Sequence, residues 1–295
     1  MKMRDLRGKV AIVTGASAGA GWQTAVRLAE AGARVCATAR RREALERLRG
    51  EIERRGGECL VAPADVTKTD EVERVAGACI ERFGRIDVLV NVAGVQIYAP
   101  FEEYRWEEIE RVFDVNTFGY MRFARAVLPH MRRQGGGHVV NVLSMLSKGA
   151  APLLSSYTAS KHALLGWAQA LRLELWRTNI DVSGVLLPSV SSCMFDHAGT
   201  KLGRQPLPVP PTYDTDVAAR AVLRVLRRPD PQYVPVFLQG TLILALNTLA
   251  PFVGNTILAY FGRRLQMKSS QPVDRPEGNL FEPVPQGVGP CGSVK

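Results

Sequence analysis

Short apolar runs alternate with stretches of helical periodicity along most of the chain. The apolar runs cover residues 10–13, 35–39, 59–62, 88–90, 139–143 and 182–187. Between them, apolar residues recur every three or four positions, which is the period of an amphipathic helix. The helices predicted in this way cover residues 19–31, 41–55, 69–83, 106–133 and 156–177. Continuous apolar strands between helices predict an α/β fold, with a doubly wound parallel sheet of about seven strands and helices on both faces.

The pattern changes after the sixth apolar run. We expect one domain over residues 1–238, which includes a loop over 189–213 and the seventh strand over 233–237. A hydrophobic helical extension follows over 239–266, and a Pro- and Gly-rich tail over 267–295. The sequence therefore predicts a single domain plus a C-terminal extension, and not two domains.

Most of the extension lies in a stretch, residues 231–262, that contains no charged side chain. Three interpretations of it remain open. A membrane-spanning helix needs about 20 predominantly apolar residues, and Pro251 and Gly254 interrupt this one. A broken amphipathic pair of helices could instead lie on a membrane surface through residues 239–264. The third interpretation is a hydrophobic flap over the ligand site or a contact with a second copy of the chain.

Composition narrows the class of protein. The 295 residues are 46% hydrophobic with a formal net charge of +10, which is compatible with a globular protein that binds an anionic partner or has scattered solvated arginines. The five cysteines are an odd number and widely spaced, which argues against a disulfide framework or zinc knuckle and favours a reducing compartment. The N-terminal apolar run is too short for a secretory signal. We expect a cytoplasmic protein without a metal site, on the inner face of the membrane if the extension binds a membrane surface.

A glycine-rich turn follows the first predicted strand and precedes the first predicted helix. Glycine permits a tight turn and a close approach of the backbone to a ligand, and free N–H groups at a helix N-terminus attract phosphate. The sequence therefore predicts a dinucleotide pyrophosphate at this turn, as in a Rossmann-type fold. The residues expected to bind it are Gly15, Ser17, Ala18, Gly19, Ala20 and Gly21.

The end of the second predicted strand indicates which dinucleotide binds. An acidic residue there hydrogen-bonds the ribose 2′-hydroxyl of NAD(H). This chain has Arg40 and Arg41 instead, and a guanidinium can bind a 2′-phosphate through two donors. We therefore expect NADP(H) in preference to NAD(H), with Arg40 on the phosphate, Arg41 assisting and Arg42 solvated. The alternative is that the three arginines only begin an exposed helix.

Tyr157 and Lys161 are one helical turn apart, so both side chains lie on one face of a predicted helix. A free tyrosine has a pKa of about 10, and a neighbouring ammonium favours the phenolate and lowers that pKa. Tyr157 could then act as a general acid or base on a hydroxyl or carbonyl group. The pair alone is weak evidence, because this spacing also occurs by chance on surface helices.

Further motifs in the expected order make the signal specific. The chain resembles a classical short-chain dehydrogenase/reductase over residues 8–237, and its C-terminal part resembles that of uncharacterised bacterial members. Ser144 precedes Tyr157 by 13 residues, the usual spacing in that family. The positions that match the family's motifs are Thr14 to Gly21, Asp65, Val66, Asn91, Ala93, Gly94, Asn116, Ser144, Tyr157 and Lys161.

The resemblance implies hydride transfer between NADP(H) and a ketone or aldehyde/alcohol pair. Tyr157 is expected to exchange the proton, Ser144 to orient the substrate oxygen, Lys161 to hold the nicotinamide ribose and lower the Tyr157 pKa, and Asn116 to hold a relay water. Asp65 and Val66 are expected at the adenine. The remaining expected cofactor contacts are Asn91, Ala93, Gly94, Tyr157, Lys161, Pro188, Ser189, Val190 and Ser191.

The expected substrate pocket is mostly apolar and favours a small hydrophobic carbonyl or alcohol. Residues 196–213 are rich in Pro and Gly and predict a mobile cover over the substrate, in which His197 is a solvated loop residue. The residues expected to line the pocket are Gln96, Met145, Leu146, Leu154, Met194 and Phe195.

The resemblance also implies a homodimer or homotetramer, formed through the long helices at 106–133 and 156–177. We expect no nucleic-acid partner, because cofactor binding explains the clustered arginines. A non-catalytic NADP(H)-binding sensor or scaffold on the same fold is the alternative function, since fold alone does not prove activity. The complete set of four catalytic positions argues against that alternative.

Overall fold

The computed structural model of the chain describes residues 5–235, 249–250, 252–253, 256, 259–260, 272–284 and 287–291. Six parallel strands form the main sheet. They are β1 (Val10–Thr14), β2 (Arg34–Thr38), β3 (Cys59–Val61), β4 (Val88–Asn91), β6 (Gly137–Ser144) and β7 (Ile180–Leu187). A two-stranded parallel sheet pairs β5 (Ile97–Tyr98) with β8 (Gly199–Thr200).

The strand order in the main sheet is β3-β2-β1-β4-β6-β7. The order reverses between β1 and β4, and the carboxyl ends of these two strands therefore border a crevice. The strands are buried on both faces, which explains why they are continuous apolar runs in the sequence. The predicted Rossmann-type doubly wound sheet is confirmed.

Helices cover both faces of the main sheet. One core cluster joins the sheet to α1 (Gly19–Glu30), α2 (Arg42–Arg54) and α8 (Asp216–Arg227). A second cluster joins the opposite face to α3 (Thr69–Phe83), α4 (Trp106–Phe113), α5 (Gly119–Arg133) and α6 (Ser155–Glu174). The short helix α7 (Cys193–His197) lies after β7.

The helix predicted over 106–133 is divided by a π-helical turn, Asp114–Phe118, between α4 and α5. Single π turns inside helices are frequent at functional sites. Here the turn contains Asn116, which is fully buried. The apolar periodicity predicted the two helices but could not show the extra residue that widens the turn between them.

The seventh predicted strand lies partly outside the described residues. Tyr233 pairs with Val185 of β7 in a single parallel bridge, and the Tyr233 N–H donates to the Gly184 carbonyl at 2.8 Å. Residues 236–248 and most of the hydrophobic extension are also outside the description. Within the described ranges, no helix combines the length and the hydropathy that a membrane span requires.

The tail returns to the domain after the extension. Leu280 is fully buried in the core cluster beside α3, α4 and α5, and Phe281 packs against the same cluster. The Arg111 guanidinium of α4 donates to the Leu280 carbonyl at 2.8 Å. This anchor brings residues 279–284 and 287–291 to the carboxyl end of the sheet, and we call these residues the C-terminal strap.

Candidate active site

A cavity of about 420 Å³ lies at the carboxyl ends of β1, β4, β6 and β7. It extends from the glycine-rich turn and Arg40 at one end to Tyr157 and α7 at the other. Strap residues Asn279, Pro283 and Val284 form part of its wall. The cavity is therefore at the crevice where open α/β sheets bind ligands.

The glycine-rich turn leaves no room for side chains at two positions. Gly15 has φ +65°, and a Cβ there would lie 2.8 Å from the Ala93 Cα. A Cβ on Gly21 would lie 2.2 Å from the Gly15 carbonyl oxygen. The Thr14 hydroxyl accepts the N–H groups of Val92 and Ala93 at 2.9 and 3.1 Å, which fixes the turn against the end of β4.

Arg40 and Arg41 both reach the cavity, and both donate to the strap. The Arg40 guanidinium bonds the carbonyls of Asn279 and Phe281 at 2.7 and 2.8 Å. The Arg41 guanidinium bonds the carbonyls of Val284 and Gly287 at 2.8 and 3.2 Å. The sequence did not predict these contacts, because the strap is more than 200 residues away along the chain. Arg42 is exposed, as predicted.

Asp65 lies on the cavity wall next to Val66. Its carboxylate accepts from Arg111 at 2.7 Å and from the Thr67 N–H at 3.0 Å. Burial alone would raise the pKa of the Asp65 carboxyl, but these hydrogen bonds hold it below its usual value. The sequence analysis missed Arg111, which fixes the orientation of this carboxylate.

Ser144, Tyr157 and Lys161 converge at the other end of the cavity. Ser144 ends β6, while Tyr157 and Lys161 project from the first turns of α6. The Ser144 side chain is close enough to the Tyr157 hydroxyl to lower its pKa. The Lys161 Nζ lies 5.8 Å from the centre of the Tyr157 ring and donates to the Val142 carbonyl at 3.3 Å. The predicted spacing therefore brings the three side chains together.

The pKa of Tyr157 shifts in the direction opposite to the predicted one. Burial raises the pKa of Tyr157 to about 12, and the effect of the Ser144 side chain offsets only part of that rise. Burial also lowers the pKa of Lys161 to about 7. Loss of hydration on burial is therefore the dominant effect on the pKa of both groups.

Asn116 is held on all sides by protein. Its amide nitrogen donates to the Val95 carbonyl and the Ser160 hydroxyl at 2.9 and 3.2 Å, and its oxygen accepts the Val95 N–H at 2.9 Å. The side chain thus ties the segment after β4 to α6. Its predicted role with a relay water stays a prediction.

Ser147, the serine nearest to Ser144, does not face the cavity. Its hydroxyl accepts the Ser144 N–H at 3.3 Å, and its side chain is buried. The geometry therefore leaves Ser144 as the serine that meets Tyr157, as the spacing predicted.

Two expectations near α7 are wrong. Cys193 and Cys291 form a disulfide, with a Cα–Cα distance of 5.5 Å, although the cysteine pattern predicted none. His197 is buried and not solvated, and its carbonyl accepts the Asn279 N–H at 2.9 Å. Both differences arise because the strap folds back over α7. The loop predicted as a mobile cover contains β8, which pairs with β5.

Most predicted contact residues line the cavity. Asn91, Asn116 and Ser191 do not, and the Asn91 amide instead donates to Asn141 at 3.0 Å inside the sheet. The predicted residues on the wall are Gly15, Ser17, Ala18, Gly19, Ala20, Gly21, Arg40, Arg41, Asp65, Val66, Ala93, Gly94, Gln96, Ser144, Met145, Leu146, Leu154, Tyr157, Lys161, Pro188, Ser189, Val190, Met194 and Phe195.

The cavity has features that fit a dinucleotide. Gly15 and Gly21 pack against protein backbone where a Cβ would lie, so the turn is tight, and the N-terminus of α1 lies on the cavity wall, where N–H groups suit a phosphate. The Ser189 hydroxyl and the Gln96 amide nitrogen line the cavity, are buried and have no hydrogen-bond partner among the described residues. Burial of such a group costs free energy unless a ligand or a water forms a hydrogen bond with it.

Two relatives match nearly the whole chain. An uncharacterised oxidoreductase of Bacillus subtilis is 31% identical over 99% of this chain and 81% of its own length. A fatty acyl-CoA reductase of Acinetobacter baylyi is 31% identical over 86% of this chain and 84% of its own length.

Solved structures share the fold. A 7α-hydroxysteroid dehydrogenase complexed with NADH and a 7-oxo bile acid matches with a TM-score of 0.70 and 26% identity, over 78% of this chain and 92% of that one. An actinorhodin polyketide ketoreductase with NADPH matches with a TM-score of 0.62 and 37% identity, over 63% of this chain and 72% of that one. The sequence profile of the short chain dehydrogenase family matches residues 9–202. The chain therefore belongs to the short-chain dehydrogenase/reductase family of oxidoreductases.

Proposed function

We propose that the protein is an NADP(H)-dependent oxidoreductase that interconverts a hydrophobic ketone or aldehyde and the corresponding alcohol. The observation that carries the proposal is the convergence of Ser144, Tyr157 and Lys161 at one end of a cavity whose other end contains the glycine-rich turn and two arginines. One cavity thus combines a proton donor with groups suited to a dinucleotide phosphate.

The chain's own residues supply position and proton transfer. Bound NADP(H) would supply or accept the hydride at the substrate carbon. The Ser144 hydroxyl donates to the substrate oxygen and stabilises the negative charge that develops there. Tyr157 gives its proton to that oxygen in the reductive direction and takes one in the oxidative direction. Lys161 would hold the nicotinamide ribose, and its protonated form would favour the Tyr157 phenolate.

The wall beyond Tyr157 supports an apolar substrate. Met145, Leu146, Leu154, Met194 and Phe195 surround this end, with Gln96 as a polar side chain among them. The Acinetobacter relative is a fatty acyl-CoA reductase, and the steroid dehydrogenase neighbour is complexed with 7-oxo glycochenodeoxycholic acid, so both names refer to molecules with a large apolar part. We therefore propose a hydrophobic substrate for this chain as well.

Tyr157→Phe tests the proposed chemistry. This change removes the proton donor and should lower the rate of NADPH oxidation with hydrophobic ketones by about 100-fold or more, while NADPH binding persists. Tyr233→Phe is the matched control, because Tyr233 lies outside the cavity wall, and it should keep the parent rate. A rate close to the parent's in Tyr157→Phe would overturn the assignment. NADPH binding without turnover of any ketone in the parent protein would support the sensor alternative.

Arg40→Ala tests the cofactor preference. Under reducing conditions, the parent should bind NADPH more tightly than NADH. In Arg40→Ala, the affinity for NADPH should fall by about tenfold or more, whereas the affinity for NADH should not fall. Arg42→Ala, a change at an exposed neighbour, is the control. Tighter binding of NADH by the parent would contradict the role of Arg40.

The exposed faces of the helices support a dimer or tetramer. Phe118, Leu173 and Trp176 are 47%, 72% and 73% exposed, and they lie on or beside the helices predicted to form the interface. Large exposed apolar side chains mark contact sites. Sedimentation should show an oligomer that Trp176→Glu weakens, and a monomeric parent would contradict this part of the proposal.

A further inference from the structure

The C-terminal strap lies along the dinucleotide end of the cavity. Its carbonyls accept from Arg40 and Arg41, as described above. Farther along, the Gly289 carbonyl accepts the Gly19 N–H at 2.8 Å, and the Gly289 N–H donates to the Ser17 carbonyl at 3.3 Å. The strap therefore pairs with the glycine-rich turn as well as with the two arginines.

These donors are the ones that the proposed cofactor needs. Gly19 begins α1, where free N–H groups and the helix dipole favour a phosphate. Arg40 and Arg41 are the groups proposed for the 2′-phosphate. An N–H group that already donates to a strap carbonyl cannot donate the same hydrogen to a phosphate oxygen. The closed strap and the dinucleotide phosphates therefore compete for the same hydrogen-bond donors.

The strap is fixed at both ends. Leu280 is buried in the core at one end, and Cys291 is joined to Cys193 of α7 at the other. Tethering keeps the local concentration of the strap at its binding site high. If the disulfide is broken, the far end keeps noncovalent contacts such as the hydrogen bond from Thr215 to the Pro290 carbonyl and the packing of Val288 against the core. Without the covalent link, the strap can leave the cleft more readily.

The disulfide lies next to His197, with Cys193 buried and Cys291 partly exposed. A Cβ placed on Gly287 would lie 2.3 Å from the His197 Nε2 and 3.1 Å from the Cys193 Cβ, so the imidazole and the cysteine lie beside the same point of the strap.

We propose that Cys193 and Cys291 form a redox site that controls access of the dinucleotide to the cleft. This inference rests on the proposed function. Oxidation holds the strap closed over the arginines and the glycine-rich turn. In the opening step a dithiol reductant supplies two electrons and two protons, the bond between the two sulfurs breaks, two thiols form, and the reductant becomes a disulfide. Reduction thereby releases the donors for the cofactor.

The test compares the full-length protein in two verified redox states. Diamide-oxidised and dithiothreitol-reduced samples are titrated with NADPH, and peptide masses confirm the state of Cys193 and Cys291. The reduced protein should bind NADPH about tenfold or more tightly than the oxidised protein. Cys291→Ser should bind like the reduced parent under both conditions. Cys59→Ala, which changes a buried free cysteine, should respond as the parent does.

Hydrogen exchange at the glycine-rich turn gives a readout that needs no cofactor. The Gly19 amide is paired with the strap, so its exchange should rise on reduction and in Cys291→Ser. Equal exchange in both redox states, equal NADPH affinity in both, or failure of the disulfide to form on oxidation would each overturn the redox inference. If exchange changes but neither NADPH nor NADH binds in any state, the proposed function fails while the redox control of the strap stands.

Discussion

Lys161 shows how strongly burial acts on single residues in this site. Its side chain is 4% exposed, and its described contacts are one backbone carbonyl and the faces of two tyrosine rings. The identities of Ser144, Tyr157 and Lys161 could be predicted because they depend on spacing along one strand and one helix. The direction of the Tyr157 pKa could not, because it depends on side chains that close over the pair from distant parts of the chain.

A pH-dependent stability follows from Lys161. Its pKa is about 7 in the folded chain against an ordinary value of 10.5, so between these values the unfolded chain binds a proton that the folded chain does not. The free energy of unfolding should therefore rise with pH in this range, by up to about 1.4 kcal/mol per pH unit from this group.

Urea unfolding of the parent and Lys161→Met, from about pH 7 to about pH 9, measures this effect. The variant should lose most of the upward slope, whereas Lys148→Met, at a lysine outside the core, should keep it. An identical slope in the parent and Lys161→Met would refute the burial argument.

Two elements help to position the residues around the cavity: the turn between β1 and α1, and the π turn between α4 and α5. The first could be predicted, because three closely spaced glycines between a strand and a helix are typical of a phosphate-binding turn. The second could not, because Asp114–Phe118 has the same apolar spacing as a regular helix. Only the bonds of Asn116 to Val95 and Ser160 show why the turn is widened at that point.

Gly21→Ala should damage the first of these elements. Its Cβ would lie 2.2 Å from a carbonyl oxygen, so the backbone must shift, and overpacking of this kind costs about 1–3 kcal/mol. Gly50→Ala is the matched control inside α2, where the added Cβ would lie 3.8 Å from the nearest atom. This variant should gain about 0.5–1 kcal/mol in the free energy of unfolding. Thermal unfolding with and without NADPH measures both effects. Equal stability of the two variants would contradict the close-approach argument.

At the scale of the whole molecule, the sheet order and the path of the tail differ in how far they could be predicted. Alternation of strands and helices restricts a parallel sheet to a few topologies, so the architecture followed from local patterns. The tail has no such pattern. Its position depends on Leu280 in the core and on the pairing of Cys193 with Cys291, which are 98 residues apart.

Leu280→Ala should therefore lower the folding stability of the whole chain. Truncation of a fully buried leucine costs about 2–5 kcal/mol, and the strap would lose its anchor in the core. Leu249→Ala, at a leucine that is 84% exposed, should change the stability by less than about 0.5 kcal/mol. Chemical denaturation compares the two variants, and a Leu280→Ala protein as stable as the parent would show that the tail contributes nothing to the core.

The disulfide also makes the C-terminal third of the oxidised chain a covalent ring. The ring closes at Cys193 and Cys291 and encloses α8 together with the whole uncharged stretch. A single protease cut inside it leaves one molecule of unchanged mass apart from one added water, whereas a cut before Cys193 separates two fragments at once. A gel run first without and then with reductant would therefore sort every cleavage site into those inside the ring and those outside it.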